Sequence, residues 1–139
     1  MDKAYFIKQY VTVFVTFLII DAVWLGLIAP RFYQAQIGFL LRERPNWWAA
    51  AAFYFLYIAG MTVFVVSPGV RQGSPGHAAV LGALFGLVAY GTYDLTNLAT
   101  IKGWPLVVTL VDLVWGTILT ATVGGVSAFA LLKWFPRIG

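Results

Sequence analysis

Residues 90–115 read YGTYDLTNLATIKGWPLVVTLVDLVW. Two apolar segments meet there at a short polar hinge, Ile101-Lys102-Gly103-Trp104-Pro105, and each segment carries one aspartate, Asp94 and Asp112. A helix surrounded by lipid tolerates neither, because an ionisable group at that depth costs about 2.5–3.5 kcal/mol on insertion scales. Asp21 repeats the anomaly inside the first apolar run. The chain has five acidic residues in all, so most of its negative charge lies in hydrophobic surroundings.

That reading depends on the segments being membrane spans, and composition requires it. The chain has 139 residues, of which 61% are hydrophobic and 10% charged. A soluble domain carries about 25% charged residues and needs them to cover its surface. Four runs approach or exceed the roughly 20 apolar residues that cross a bilayer. They fall at residues 5–29, 46–66, 78–101 and 105–132, in one membrane domain. The fold class is therefore all-α, a four-helix transmembrane bundle.

Between the first two runs lies PRFYQAQIGFLLRERP, residues 30–45. It is too polar to span, yet Phe32, Tyr33, Ile37, Leu40 and Leu41 recur at helical spacing. The segment reads as a short interfacial amphipathic helix, begun where Pro30 closes the first run. As a functional element it would be a lid over a cavity; as a plain connector it would be none, and the connector is the simpler expectation. In the same way Ser67-Pro68-Gly69 is expected to break the second helix. Trp47 and Trp48 suit the aromatic belt at its start.

Several classes of chemistry are absent. There is no cysteine and one histidine, His77, so thiolate sites are excluded and triad hydrolysis is not expected. Aspartate oxygens could hold Mg²⁺, Ca²⁺ or Mn²⁺, but no D-x-x-D or E-x-x-H spacing supports a metal site, and the residues name no cofactor. The net charge of +4 comes from single Lys and Arg residues at segment ends, with no nucleic-acid motif. One face collects Lys3, Lys8, Arg71, Lys133 and Arg137, the other Arg31, Arg42, Arg44 and Lys102. By five to four, the positive-inside rule places both termini in the cytoplasm.

The three aspartates agree in depth. Asp21 precedes Ala29 by eight residues, Asp94 precedes Lys102 by eight, and Asp112 follows Pro105 by seven. At 1.5 Å per residue each lies roughly 10–12 Å inside the same face, which predicts one layer of carboxyls. Tyr90, Tyr93, Thr96 and Asn97 accompany Asp94, Thr109 and Trp115 accompany Asp112, and Trp24 follows Asp21. Crowded carboxyls in low dielectric share protons, which sets a donor beside an acceptor as acid–base chemistry requires. Trp24, Trp115 and Tyr90 would wall a pocket suited to a cationic group. IIDAVWLG in the first helix and LVDLVWGT in the fourth share Asp-x-Val-Trp, a faint internal echo.

The D-A-V-W-L-G near the end of the first helix, P-R-F-Y, L-L-R-E-R-P-N and Y-G-T-Y-D-L-T-N-L-A-T followed by W-P and D-x-x-W-G together resemble a family of small four-helix bacterial membrane proteins classed as a domain of unknown function. The resemblance covers essentially the whole chain. It implies a multi-pass protein of the bacterial inner membrane and lends no substrate or cofactor.

Three functions stay open. The first is a pocket that binds, and by acid–base chemistry transforms, a small amphiphilic molecule such as a lipid or isoprenoid. Asp94 would be its principal group, tuned by Asp112 and Asp21, with Tyr90, Tyr93, Thr96, Asn97, Thr109, Trp24 and Trp115 around the ligand. The second is a proton-coupled transporter or channel, built as a homo-oligomer through Gly82 and Gly86. Its weakness is the apolar inner halves at residues 11–20 and 80–88, where Thr12 and Thr16 alone are polar. The third is an assembly partner without a ligand, in which the aspartates only fix helix register.

Overall fold

The computed structural model describes residues 3–136 and is an up-and-down bundle of four helices. They are α1 (Lys3–Leu40), α2 (Trp47–Arg71), α3 (Pro75–Thr100) and α4 (Leu106–Trp134), each long and apolar enough to cross a membrane. The face carrying the termini and the α2–α3 turn is called the terminal face below. The other, with the α1–α2 and α3–α4 turns, is the connection face. Arg137, counted above toward orientation, lies outside the described residues.

The turns form where local chemistry permits. Asn46 caps α2 by accepting from the Ala49 N–H at 3.2 Å. Ser74 caps α3 by accepting from the N–H of His77 at 3.0 Å, which leaves that histidine a backbone role. Gly103 takes φ +83° in the hinge, a left-handed conformation that glycine adopts at little cost. The next residue, Trp104, thereby turns inward and is buried.

Two prolines expected to end helices do not. α1 runs α-helical to Val23, winds as a π turn over Trp24–Ile28, resumes over Ala29–Ile37 and ends in a 3-10 turn at Gly38–Leu40. α2 behaves alike, with a π turn at Thr62–Val66 and α-helix again at Ser67–Arg71. In both, proline follows the π turn by two residues, Pro30 after Ile28 and Pro68 after Val66. A proline ring in regular α-helix clashes with the carbonyl four residues back and supplies no N–H. Wider winding relieves that clash, with Ala29 N–H bonding back to Trp24 and Ser67 N–H to Thr62. The separate interfacial helix expected at residues 30–45 is thus a continuation of α1. At 38 residues and 1.5 Å each, α1 is roughly 57 Å long, about twice the hydrocarbon thickness.

Small residues set the packing. A Cβ on Gly82 would meet the backbone of Thr120, one on Gly86 the Gly116 carbonyl and Thr120, and one on Gly116 the Tyr90 ring. The G-x-x-x-G of α3 is therefore spent on α4 inside the bundle. It is not the surface through which copies would join, and that part of the transporter expectation is withdrawn. The core toward the terminal face is mainly apolar: Val13, Met61, Val65, Leu119 and Val123 are fully buried, with the hydroxyls of Thr62 and Thr120 among them. Below it the polar pair Ser67 and Gln9 is also buried, Ser67 donating to Gln9.

Candidate functional site

Toward the connection face the helices spread and enclose a cavity of about 800 Å³, within the range of small-molecule pockets. α1 supplies Leu25, Ala29, Pro30, Tyr33, Gln34 and Ile37, and α2 supplies Phe53 and Tyr54. α3 supplies Ala89, Tyr90 and Tyr93, α4 supplies Val108 and Asp112, and Leu41, Pro45 and Trp104 come from the turns. A smaller cavity of about 240 Å³ shares Leu25, Tyr33, Phe53, Tyr54 and Tyr90 and adds Phe17, Asp21, Trp24 and Trp115. The walls are apolar and aromatic, with polar groups at a few points.

Asp112 is the carboxyl on the wall of the larger cavity, and the Tyr33 hydroxyl donates to it. The segment after Pro30 is therefore neither a plain connector nor surface-bound, since it carries Tyr33 across to α4. Behind Asp112 stands Asp94, which is 0% exposed and lines neither cavity. No hydroxyl, amide or ring N–H reaches either of its oxygens among the described residues. The Asp112 carboxyl is its charged neighbour. Asp94, expected to be the principal group, thus lies off both cavity walls, and Asp112 is the carboxyl that reaches the larger one.

Asp21 belongs elsewhere. Trp24 and Trp115 stack at 4.4 Å between ring centroids with 11° between planes. The two halves of the Asp-x-Val-Trp echo therefore meet at one level. Each tryptophan lies three residues after its aspartate, and α1 and α4 are antiparallel, so the aspartates fall on opposite sides of the stack. Their depths differ by roughly 9 Å. The single layer predicted above rested on α1 ending at Ala29, which it does not. Asp21 lines only the smaller cavity, below the stack, near Tyr54, Tyr57 and Tyr90.

The other expected residues divide. Tyr90 lines both cavities and Tyr93 the larger; Trp24 and Trp115 line the smaller. Thr109 lies outside both and bridges, accepting from Trp104 Nε1 at 3.0 Å and donating to the Asp94 carbonyl at 3.2 Å. Asn97 lies beside Tyr93 rather than on a cavity wall. Thr96 is exposed and bonds back to Thr92 and Tyr93 of its own helix. Two residues steps from Asp94 turn a helix about 200°, so Thr96 faces away. Tyr33 and Trp104 were not expected here. Trp104 packs edge-on to Tyr93 at 5.7 Å, and aromatic residues in P-R-F-Y and G-W-P were the available signals. No group of three or more His, Cys, Asp or Glu side chains gathers as a metal site among the described residues.

Replacing Tyr33 with phenylalanine removes the donor to Asp112 and keeps the ring. A hydrogen bond to a charged group is worth about 1.5–3 kcal/mol, so Tyr33→Phe should lower the melting temperature in detergent by several degrees. A variant that melts with the wild type would show the bond to contribute nothing.

Residues 6–129 match the family described as Predicted membrane protein (DUF2177). The comparisons with curated proteins and with solved structures return no match.

Proposed function

Because this chain belongs to the DUF2177 family of predicted membrane proteins, we propose a function suited to a membrane-embedded site: it binds a small amphiphilic or lipid-like molecule and acts on it by acid–base chemistry. The observation that carries this reading is the Tyr33–Asp112 pair, polar groups set into the wall of an otherwise apolar cavity. The apolar part of the ligand lies against Leu25, Ile37, Phe53 and Val108, and its polar end reaches Asp112 and Tyr33. Asp94 holds or returns the proton that Asp112 exchanges with the ligand, so donor and acceptor stand side by side. Two carboxyls here, with Asp21 one level below, repel an anionic head. The favoured ligand end is neutral or cationic, and aromatic faces at Tyr33, Tyr90 and Tyr93 favour the cation.

Transport is the weaker reading. The buried layer of Val13, Val65, Leu119 and Val123 lies between the cavities and the Gln9–Ser67 pair, and its hydroxyls are few and engaged locally, Thr120 with Tyr57 and Thr62 with the Ile58 carbonyl, with no ionisable carboxyl among them. A pocket open on one side accords with that layer.

Mass spectrometry of small molecules that co-purify in mild detergent tests the proposal, wild type beside Asp112→Ala. One amphiphile enriched in the wild type and reduced at least tenfold in the variant is expected. The same bulk phospholipid in both would sink the binding site and leave the aspartates a structural role.

A further inference from the structure

We propose that the cavity is loaded sideways from the membrane, through a gap between α2 and α3, and that its occupant is the chain of a bilayer lipid. The proposal rests on the binding reading above and adds where the ligand comes from and by which route.

α2 and α3 touch only along part of their length. Near the terminal face the absent Cβ of Gly69 is matched by Ala78, and that of Gly60 by the Phe85 ring. Phe64 and Tyr57 also pack on Phe85, at 6.4 and 5.8 Å between centroids. There the seam ends. One turn further up, Phe53 on α2 and Ala89 on α3 both line the larger cavity, and the next turn of α3 brings Tyr93, which packs on Trp104 instead of α2. The cavity fills the wedge that the two helices leave as they part.

The edges of that wedge face outward. Phe53 is 49% exposed and Tyr93 55% exposed, though both line the cavity. A side chain that belongs to a cavity wall and to the outer surface at once marks a mouth. This mouth is at membrane depth, because Phe53 lies six residues inside Trp47, roughly 9 Å along α2. Trp47 and Trp48 are exposed at the belt level where such rings mark the interface. What lies outside the gap is hydrocarbon, and the bilayer itself is the source of molecules that fit an apolar slot there. The chain of the lipid occupies the gap and its polar end reaches Asp112.

The absence of cysteine makes a direct test clean. Phe53→Cys and Ala89→Cys are introduced together and bridged by a reducible bismaleimide, with the protein in nanodiscs containing phosphatidylcholine that carries a diazirine on an acyl chain. Ala89→Cys alone, capped with a bulky maleimide, gives a second way to close the gap. Photolysis should label Tyr54 or Tyr90 inside the cavity in the open protein. Bridging or capping should reduce that label at least tenfold, and reduction of the bridge should restore it. Label that persists when the gap is closed overturns the route. Absent chain label, with an Asp112-dependent amphiphile still co-purifying, overturns the bilayer lipid as occupant and leaves the binding reading intact. Absence of both label and co-purifying molecule ends the two readings together.

Discussion

Replacing Asp94 with asparagine should make the protein more stable while weakening its hold on the amphiphile. Asp94 is fully buried, and neither oxygen meets a hydrogen-bond donor among the described residues. A buried polar atom without a partner costs about 1–3 kcal/mol, and a buried charge costs more. Asparagine has nearly the same shape and carries no charge, and its N–H faces the neighbouring carboxylate of Asp112 with an attractive rather than a repulsive group. The expected gain of about 1–3 kcal/mol corresponds to a rise of roughly 3–10 °C in a chain of this size, read by scanning fluorimetry in detergent. The same substitution takes away the carboxyl that exchanges a proton with Asp112, so retention of the co-purifying molecule should fall. Such opposed effects are the mark of a residue kept for activity at a cost in stability. A clear loss of stability would show instead that Asp94 serves to hold helices together.

Gly86→Leu should be the most damaging single substitution in the bundle. A Cβ at this position would lie against the Gly116 carbonyl and the Thr120 side chain, and a full leucine forces α3 and α4 apart. Overpacking typically costs 1–3 kcal/mol, occasionally more, and close backbone approach between small residues drives association in lipid. A loss of about 3 kcal/mol or more is expected, seen as collapse of the monodisperse peak in size-exclusion chromatography. Leu84→Ala is the control, since Leu84 faces outward and its truncation should change stability by no more than about 0.5 kcal/mol. If Gly86→Leu kept its melting temperature and merely shifted from dimer to monomer, the α3 glycines would belong to a contact between copies after all.

The contrast between these two residues shows what can be read from a sequence of this kind. The four spans were legible because 20-residue apolar runs have few alternatives, whereas the caps at Asn46 and Ser74 were not read, Asn46 being placed inside the span and Ser74 in the preceding loop. Gly82 and Gly86 announced close packing but not its partner, since a small-residue row fits any facing backbone. Asp94 and Asp112 carry the same signal in their own helices. Only packing decides which one meets the cavity and which stands behind it. Thr96 was misplaced for an avoidable reason, being two residues from Asp94 and hence on another face. Tyr33 was missed because a proline normally ends a helix, and the residues after Pro30 were read as a connector. Whether a π turn carries the chain past proline depends on neighbours far away in sequence.

That π turn fixes the phase of everything after it. Trp24–Ile28 holds one more residue than an α-helix would use to make the same turn. Without it, Ala29–Leu40 would rotate by about 100° around the axis of α1 and shift by about 1.5 Å along it. Tyr33 would then swing off Asp112, and Gln34 and Ile37 would turn with it. The wall of the cavity is thus set by a single inserted residue, a count rather than a side chain. Substitutions along Trp24–Ile28 preserve that count whatever they do to packing, whereas the loss or gain of one residue there would unmake the site without altering any residue that forms it.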